Sequence, residues 1–207
     1  MVQYSNFDRV MGARNHFKNV ASAKSLINKE KIFCVAVIAI MLIGACGQTR
    51  QKNVQNDWKT LEQSNYVIQY PDDGFELNIS GQMGMSFILF SKQNTPNGTF
   101  RENINLLIQD LKGLNISLDD FVNVSENQIK TLITDGKLIE SKRFIKDNSE
   151  FHELIYTGKQ GLFNLKWKQY FTIKSEKAYV LTLTTRVEQF DNYISVGTKI
   201  MDSFKVK

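Results

Sequence analysis

The side chains that could carry out acid-base or metal chemistry are few in this sequence. His152 is the one histidine after residue 16, and it stands between Phe151 and Glu153. A metal site needs three or four ligands, and with no cysteine and no second histidine beyond residue 46 the others would have to be carboxylates. We interpret His152 as a surface or hydrogen-bonded histidine on a strand, and we expect neither a metal nor a cofactor.

Two pairs of adjacent carboxylates, Asp72-Asp73 and Asp119-Asp120, are the other candidates. General acid-base catalysis needs carboxylates that converge across a cleft, whereas adjacent residues diverge. Pro71 and Gly74 flank the first pair, as in a turn, and the second pair follows Ser117, as in the first turn of a helix. The chain has no Gly-x-Ser-x-Gly elbow, Walker A loop or dinucleotide glycine motif. We therefore predict no catalytic residue.

Cys46 is the residue whose context indicates a specific modification. It follows Ile32 to Ala45, fourteen mostly apolar residues preceded by Lys29 and Lys31. This run is shorter than the roughly 20 residues of a membrane-spanning helix and fits the apolar region of a signal peptide. Its last residues, LIGAC, resemble the lipobox of bacterial lipoproteins, in which the cysteine is acylated and becomes the first residue. The alternative is an ordinary signal peptide or short anchor with an incidental cysteine.

The chain divides at this cysteine into a leader (residues 1–45), a polar tether (46–57) and a domain (58–207). Residues 1–28 are a long lead-in, which indicates either a start site assigned too far upstream or a cytosolic extension. The leader contains six of the 26 basic and two of the 21 acidic residues, which leaves 20 and 19 and a net charge of +1 after Ala45. Such a balance removes the support for nucleic-acid binding through bulk charge, so we expect no nucleic-acid partner.

Short strand patterns and two amphipathic patterns fill the domain. We predict a helix that begins at the N-cap Ser117 and ends at Asp135-Gly136, and a second helix from about Glu188 to Phe204, with Gly197 packed closely on a sheet. The predicted strands are 66–70, 75–79, 83–90, 103–111, 138–145, 151–157, 162–173 and 178–185, and Lys92 to Thr99 is a predicted surface loop. Short turns join the last four strands, so these strands should be antiparallel. The fold class is α+β.

The strand 162–173 alternates, and one of its faces suggests a binding surface. Trp167 and Phe171 face one way, while Lys166, Lys168 and Tyr170 face the other. An antiparallel sheet can leave one face solvated. We therefore expect these three residues either to lie on an exposed face or under a helix, or to form a docking patch for a partner.

Four segments together resemble the PsbP fold. They are YVIQYP at 66–71, the strand 103–109 followed by Ser117-Leu118, KAYVLTLT at 177–184, and IMDSF at 200–204. Among proteins of this fold the chain looks most like the DcrB-like bacterial lipoproteins. The resemblance implies an antiparallel sheet flanked by helices, as an αβα sandwich, in a family of binding and assembly accessories rather than enzymes. The metal sites of photosynthetic members have no obvious counterpart in this sequence.

The sequence thus favours a lipoprotein held on a membrane by lipid on Cys46, with its domain outside the cytoplasm and an envelope protein as its unidentified partner. Two alternatives stay open. A small hydrolase would need a pocket lined with converging polar groups, and a carrier of an apolar ligand would need an unfilled cavity between sheet and helix.

Overall fold

A computed structural model describes residues 58–92 and 100–207 of the chain. The leader 1–45, Cys46, the tether 46–57 and residues 93–99 of the predicted surface loop lie outside this description. Within the described ranges, no helix is long and apolar enough to cross a membrane.

The described chain forms ten strands and two α-helices. The strands of the first half are β1 (Trp58–Glu62), β2 (Tyr66–Pro71), β3 (Phe75–Asn78), β4 (Met85–Ser91) and β5 (Asn103–Asp110). Helix α1 (Leu118–Leu132) precedes β6 (Thr134–Lys146), β7 (Ser149–Gln160), β8 (Phe163–Lys174) and β9 (Lys177–Arg186). Helix α2 (Phe190–Asp202) and β10 (Lys205–Val206) complete the domain, and short 3-10 turns occupy Gln82–Gly84 and Val187–Gln189.

The strands form two antiparallel sheets. Seven strands lie in the order β3-β4-β5-β9-β8-β7-β6, and three lie in the order β1-β2-β10. The four consecutive strands β6 to β9 are the predicted meander. This architecture confirms the α+β class and the antiparallel sheet with flanking helices.

Both faces of the seven-stranded sheet are packed. Helix α1 lies on one face, where Phe121 meets Phe171 edge to face with ring centroids 5.7 Å apart. Helix α2 and the three-stranded sheet lie on the other, in a core that joins Tyr66, Leu183 and Met201. The face of β8 opposite Trp167 and Phe171 therefore lies under α2, one of the two positions expected for it, while the edge strand β6 is largely exposed.

Helix α1 begins as predicted and ends earlier than predicted. Ser117 accepts a hydrogen bond from the Asp120 N–H, while the Asp120 carboxylate accepts one from the Ser117 N–H, which is a capping box. The helix ends at Leu132, and the predicted end at Asp135-Gly136 is already part of β6. The missing side chain at Gly136 explains this, because a Cβ there would lie 2.1 Å from the Ile129 carbonyl oxygen. The strand can therefore pass directly against the last helical turn.

Strand β6 is one edge of the large sheet. Its pairing with β7 shifts register twice, between Thr134 and Lys137 and between Leu138 and Glu140. Such bulges bend and twist an edge strand.

Candidate functional site

The predicted docking residues Lys166, Lys168 and Tyr170 lie together on one face of β8, but this face is covered. Lys168 is 7% exposed and Tyr170 is 4% exposed. Of the alternatives that the alternation in β8 left open, the structure shows for these two residues the one in which they lie under a helix. That helix is α2, which crosses the same face and contacts both ends of the three-residue row.

The contacts with α2 are specific at each end of that row. The Nζ of Lys166 lies 3.8 Å from the centroid of the Phe190 ring, at the start of α2. The Tyr170 hydroxyl donates to Asp202 Oδ1 over 3.0 Å, at the end of the helix. Burial raises the pKa of Tyr170, and the neighbouring Asp202 carboxylate adds to this effect. The phenol therefore stays protonated and holds the C-terminal turn of α2 on the sheet.

Lys168, in the middle of the row, takes part in a buried ion pair. Its Nζ lies 2.8 Å from Glu153 Oε2, and the more exposed Lys142 lies 3.0 Å from Glu153 Oε1. Burial by itself would raise the pKa of Glu153, but the hydrogen bonds from Lys168 and Lys142 outweigh it and the pKa is lowered. Glu153 is therefore ionised, and its two lysines link β6, β7 and β8. These side chains are engaged inside the domain rather than offered to a partner.

On the opposite face, the structure brings His152 together with Ser141 and Glu126. Ser141 Oγ lies 2.8 Å from His152 Nε2 and 2.6 Å from Glu126 Oε1. Burial lowers the pKa of His152, and the nearby Arg143 lowers it further. His152 is therefore a half-buried, neutral, hydrogen-bonded strand histidine, as its sequence context suggested.

The order of these three groups differs from that of a nucleophilic triad. In a triad the acid orients the histidine through Nδ1 while Nε2 accepts the proton of the nucleophile. Here the acid contacts the serine, and among the described residues no hydrogen-bond partner contacts His152 Nδ1. The Ser141 hydroxyl donates its proton to Glu126 Oε1 rather than to His152 Nε2, so the histidine does not accept the Ser141 proton in this arrangement.

The two carboxylate pairs perform the local tasks predicted for them. Asp120 caps α1, and the hydrogen bonds from the Ser117 side chain and backbone lower its pKa. Asp119 pairs with Arg143 of β6. In the turn, Asp72 pairs with Lys59 of β1 over 2.5 Å. None of these arrangements points two carboxylates at a common substrate. Within the described ranges, no three His, Cys, Asp or Glu side chains lie together as metal ligands.

A cleft lies between the turn after β2 and helix α2. Its volume is about 400 Å³, and its walls combine apolar and polar groups. They are Pro71, Asp73, Gly74, Phe75, Asn192, Tyr193 and Val196. This volume lies at the lower end of the range for small-molecule sites. The cleft is open to solvent and bordered by a carboxylate, so it does not match the closed apolar cavity that a lipid carrier requires.

The comparisons with known proteins identify the fold. No family model matches the chain, and no curated protein matches it in sequence. The solution structure of cyanobacterial PsbP (CyanoP) from Synechocystis is similar at a TM-score of 0.55 and 18% identity, over 80% of this chain and 99% of that one.

Two further structures are similar over most of their length. One is the protein PA94 of Pseudomonas aeruginosa, described as a putative regulator of unknown function, with a TM-score of 0.51 and 14% identity over 70% of this chain and 94% of that one. The other is LpqN of Mycobacterium tuberculosis, described as involved in cell envelope biogenesis, with a TM-score of 0.54 and 11% identity over 75% of this chain and 93% of that one. The domain that begins at Trp58 has the PsbP-like fold.

Proposed function

We propose that this chain is a lipid-anchored protein of the bacterial cell envelope whose PsbP-like domain is a non-catalytic binding or assembly accessory. The observation that carries the proposal is the LIGAC sequence that ends in Cys46, at the close of a fourteen-residue apolar run. A signal peptide of this form directs export, and acylation of its cysteine retains the product on a membrane. One acyl chain binds a bilayer only marginally and two anchor a protein stably, so a di- or triacylated Cys46 would not dissociate readily from the membrane.

The position of the domain relative to Cys46 supports this proposal. The first described strand begins at Trp58, twelve residues after the cysteine. A flexible chain of this length has a root-mean-square span of roughly 20 Å. The tether is thus long enough to clear the lipid headgroups and short enough to keep the domain near the membrane. The envelope-biogenesis description of LpqN, a protein of the same fold, agrees with such a location.

The local chemistry favours an accessory over a hydrolase. Ser141 and His152 are in contact, but the acid lies on the serine side of the pair and receives the Ser141 hydroxyl proton in place of the histidine. The cleft at Tyr193 is on the other face of the sheet and contains no nucleophile paired with a base. Binding without chemistry is therefore the function that these side chains support best.

The decisive experiment is metabolic labelling with an alkyne-tagged fatty acid in a bacterium that expresses the whole chain. We expect the native chain to be labelled and to sediment with membranes. Cys46→Ser should abolish labelling and release the domain, whereas the matched variant Cys34→Ser should keep both properties, because Cys34 is the chain's other cysteine and lies inside the leader. Labelling that survives Cys46→Ser would contradict the lipoprotein proposal.

The non-catalytic part of the proposal has its own test. A fluorophosphonate probe reacts with activated serines, so we expect no labelling of the folded domain. Probe incorporation that disappears in Ser141→Ala but persists in the neighbouring variant Ser149→Ala would establish a serine hydrolase instead. Crosslinking in intact envelopes followed by purification of the native chain would then identify the partner of the accessory.

A further inference from the structure

Four exposed apolar residues lie at the same end of the seven-stranded sheet, and Trp58, at 37%, is the least exposed of them. Leu162 is at the tip of the β7–β8 hairpin and is 96% exposed. Leu165, near the start of β8, pairs with Arg186, the last residue of β9. The β7–β8 hairpin tip and Val187, which follows Arg186, therefore lie at the same end of the sheet. Val187 is itself 44% exposed.

Leu132 lies at this end as well. It is the last residue of α1, it is 65% exposed, and β6 begins two residues later at Thr134. Thr134 pairs with Lys159, beside the β7–β8 hairpin. The C-terminal turn of α1 and the hairpin tip therefore face the same way.

Trp58 completes the set and marks where the tether joins the domain. Its partner in β2 is Pro71, and a three-residue turn connects Pro71 to Phe75 of β3. Phe75 pairs with Ser91, the last residue of β4. The start of β1 therefore lies at the end of the large sheet where β3 begins and β4 ends. We call this end, with Trp58, Leu132, Leu162 and Val187 at its tips, the entry end.

A ring contact lies at the same end of the sheet. Phe100, which precedes β5, lies 5.1 Å from Phe163, the first residue of β8, measured between ring centroids. The chain that leads into β5 is therefore in contact with the base of the β7–β8 hairpin.

We propose that the entry end lies on the bilayer and inserts its apolar tips among the lipid headgroups. This inference rests on the proposed acylation of Cys46. A twelve-residue tether reaches at most about 40 Å when fully extended, so the surface at which it joins the domain is the one held nearest to the lipid. Tethering raises the local concentration of that surface at the membrane and makes weak apolar contacts effective.

The distribution of the tips suits a fluid surface better than a protein partner. A protein interface has a contiguous apolar core that excludes water. Here the apolar side chains stand on separate loop tips across a sheet whose strands are about 4.8 Å apart. Lipid headgroups can close around each tip separately, because apolar side chains enter the headgroup and acyl boundary one by one.

The charges at the entry end are only partly paired. Three basic residues there are matched by acids: Lys59 with Asp72 at 2.5 Å, Lys159 with Asp135 at 2.7 Å, and Arg186 with Glu102 at 2.9 Å. Lys92, Lys130 and Lys137 lie at the same end and are exposed, so they can add attraction to anionic lipid. We therefore expect docking through the apolar tips on neutral vesicles, and tighter docking in the same orientation on anionic vesicles.

Fluorescent labelling of the mature acylated chain in lipid vesicles tests this orientation. With Cys46 acylated the chain has no other thiol, so Leu162→Cys introduces a single site for an environment-sensitive dye. Ile79→Cys is the matched control, since Ile79 is 59% exposed and follows β3 at the opposite end of the sheet. We expect the dye at 162 to shift to the blue and to be quenched by brominated lipid, while the dye at 79 is quenched only by aqueous iodide.

Two outcomes would overturn the proposal. Equal quenching of the two dyes by brominated lipid would mean that the entry end has no preferred contact with the bilayer. Protection of the dye at 162 from both quenchers would mean that protein covers the entry end, either a second copy or a partner.

A second experiment tests the docking of the entry end separately from the acylation of Cys46. If Cys46 is not acylated, the chain will not sediment with vesicles and the proposed function fails. The free Cys46 thiol can then be coupled to a maleimide lipid, and quenching of Trp58 by brominated lipid reports on docking alone. Trp167 is only 1% exposed and provides the unquenched reference. Unquenched Trp58 in this artificial tether would overturn the docking even though an anchor is present.

Discussion

Glu153 Oε2 lies 2.8 Å from Lys168 Nζ in the interior of the domain, where the two side chains are 4% and 9% exposed. The pair occupies the centre of the face on which α2 packs. Burial of two charges is costly, and removal of one partner leaves the other without compensation. The pair thus makes the meander sensitive to single substitutions at these positions.

Lys168→Met should lower the free energy of unfolding by about 3 kcal/mol, because Glu153 then keeps only the more exposed Lys142. The matched change Lys166→Met removes a charge from the same face but breaks no buried ion pair, and it should cost less than about 1 kcal/mol. Urea denaturation of both variants measures the difference. Equal losses in the two variants would contradict the importance of the buried pair of Lys168 and Glu153. The double variant Lys168→Met, Glu153→Leu should recover most of the lost stability, because it leaves no buried charge without a partner.

The ion pair also predicts a dependence of stability on pH. The pKa of Glu153 is lower in the folded protein than in the unfolded chain, where it is near the ordinary value of 4.5. Below pH 4.5 the carboxylate of Glu153 takes up a proton in the unfolded chain but not yet in the folded protein. The contribution of Glu153 to stability is therefore complete above pH 4.5 and is lost as the pH falls toward the lower pKa of the folded protein. Glu153→Gln should be less stable than the native protein at pH 7, and the gap should narrow toward pH 3. A gap that is constant with pH would contradict this.

His152 gives a second titration that can be observed directly in the described domain, since it is the only histidine after residue 16. Burial and the charge of Arg143 lower its pKa, so its imidazole resonances should titrate with a midpoint below the ordinary 6.5. As the pH falls from 6.5 toward that midpoint, the unfolded chain takes up a proton first and stability decreases. Arg143→Gln should raise the midpoint. A midpoint at or above 6.5 in the native protein would exclude the buried neutral histidine.

Gly197 tests the contact between α2 and the sheet. A Cβ added at Gly197 would lie 2.8 Å from Cδ2 of Leu183, which is itself 1% exposed. Gly197→Met should therefore force the helix away from β9 and cost about 1 to 3 kcal/mol. Ser195→Met, at an exposed position of the same helix, should be nearly neutral. Similar melting temperatures for the two variants would show that α2 is not tightly seated.

The elements that sequence patterns predicted well are those whose apolar periodicity is complete. The N-cap at Ser117, the meander strands and the close packing of Gly197 are confirmed because each depends on local residue types. The strands β1 and β10 were not predicted. In β1 only Leu61 is buried, and β10 has two residues, so neither shows an alternating pattern.

The surface of the meander was harder to predict for a physical reason. The alternation in β8 separates two faces, but it does not say what covers each face. Lys168 and Tyr170 are polar enough to suggest solvent, yet the structure buries them with Glu153 and Asp202 as partners. Those partners are 15 and 32 residues away along the chain, and no local pattern connects them. The grouping of Ser141 with His152 and Glu126 depends likewise on the packing of α1 against β6. The acylation of Cys46 and the DcrB-like relationship stay predictions.

The small sheet has a consequence for the order in which the domain can fold during and after synthesis. Strand β10 pairs with β2 through Lys205 and Val206, and Lys207 adds a backbone hydrogen bond to the Asn65 carbonyl and an ion pair with Glu62. These contacts join residues about 140 positions apart, so the first strands made must wait for residues 205–207 before their sheet is complete. Pairings so distant in sequence form late. The hairpins β6 to β9 can form early, but β2 keeps an open edge until synthesis has passed Val206. The small sheet, rather than the large one, is therefore the part of the fold that is completed last.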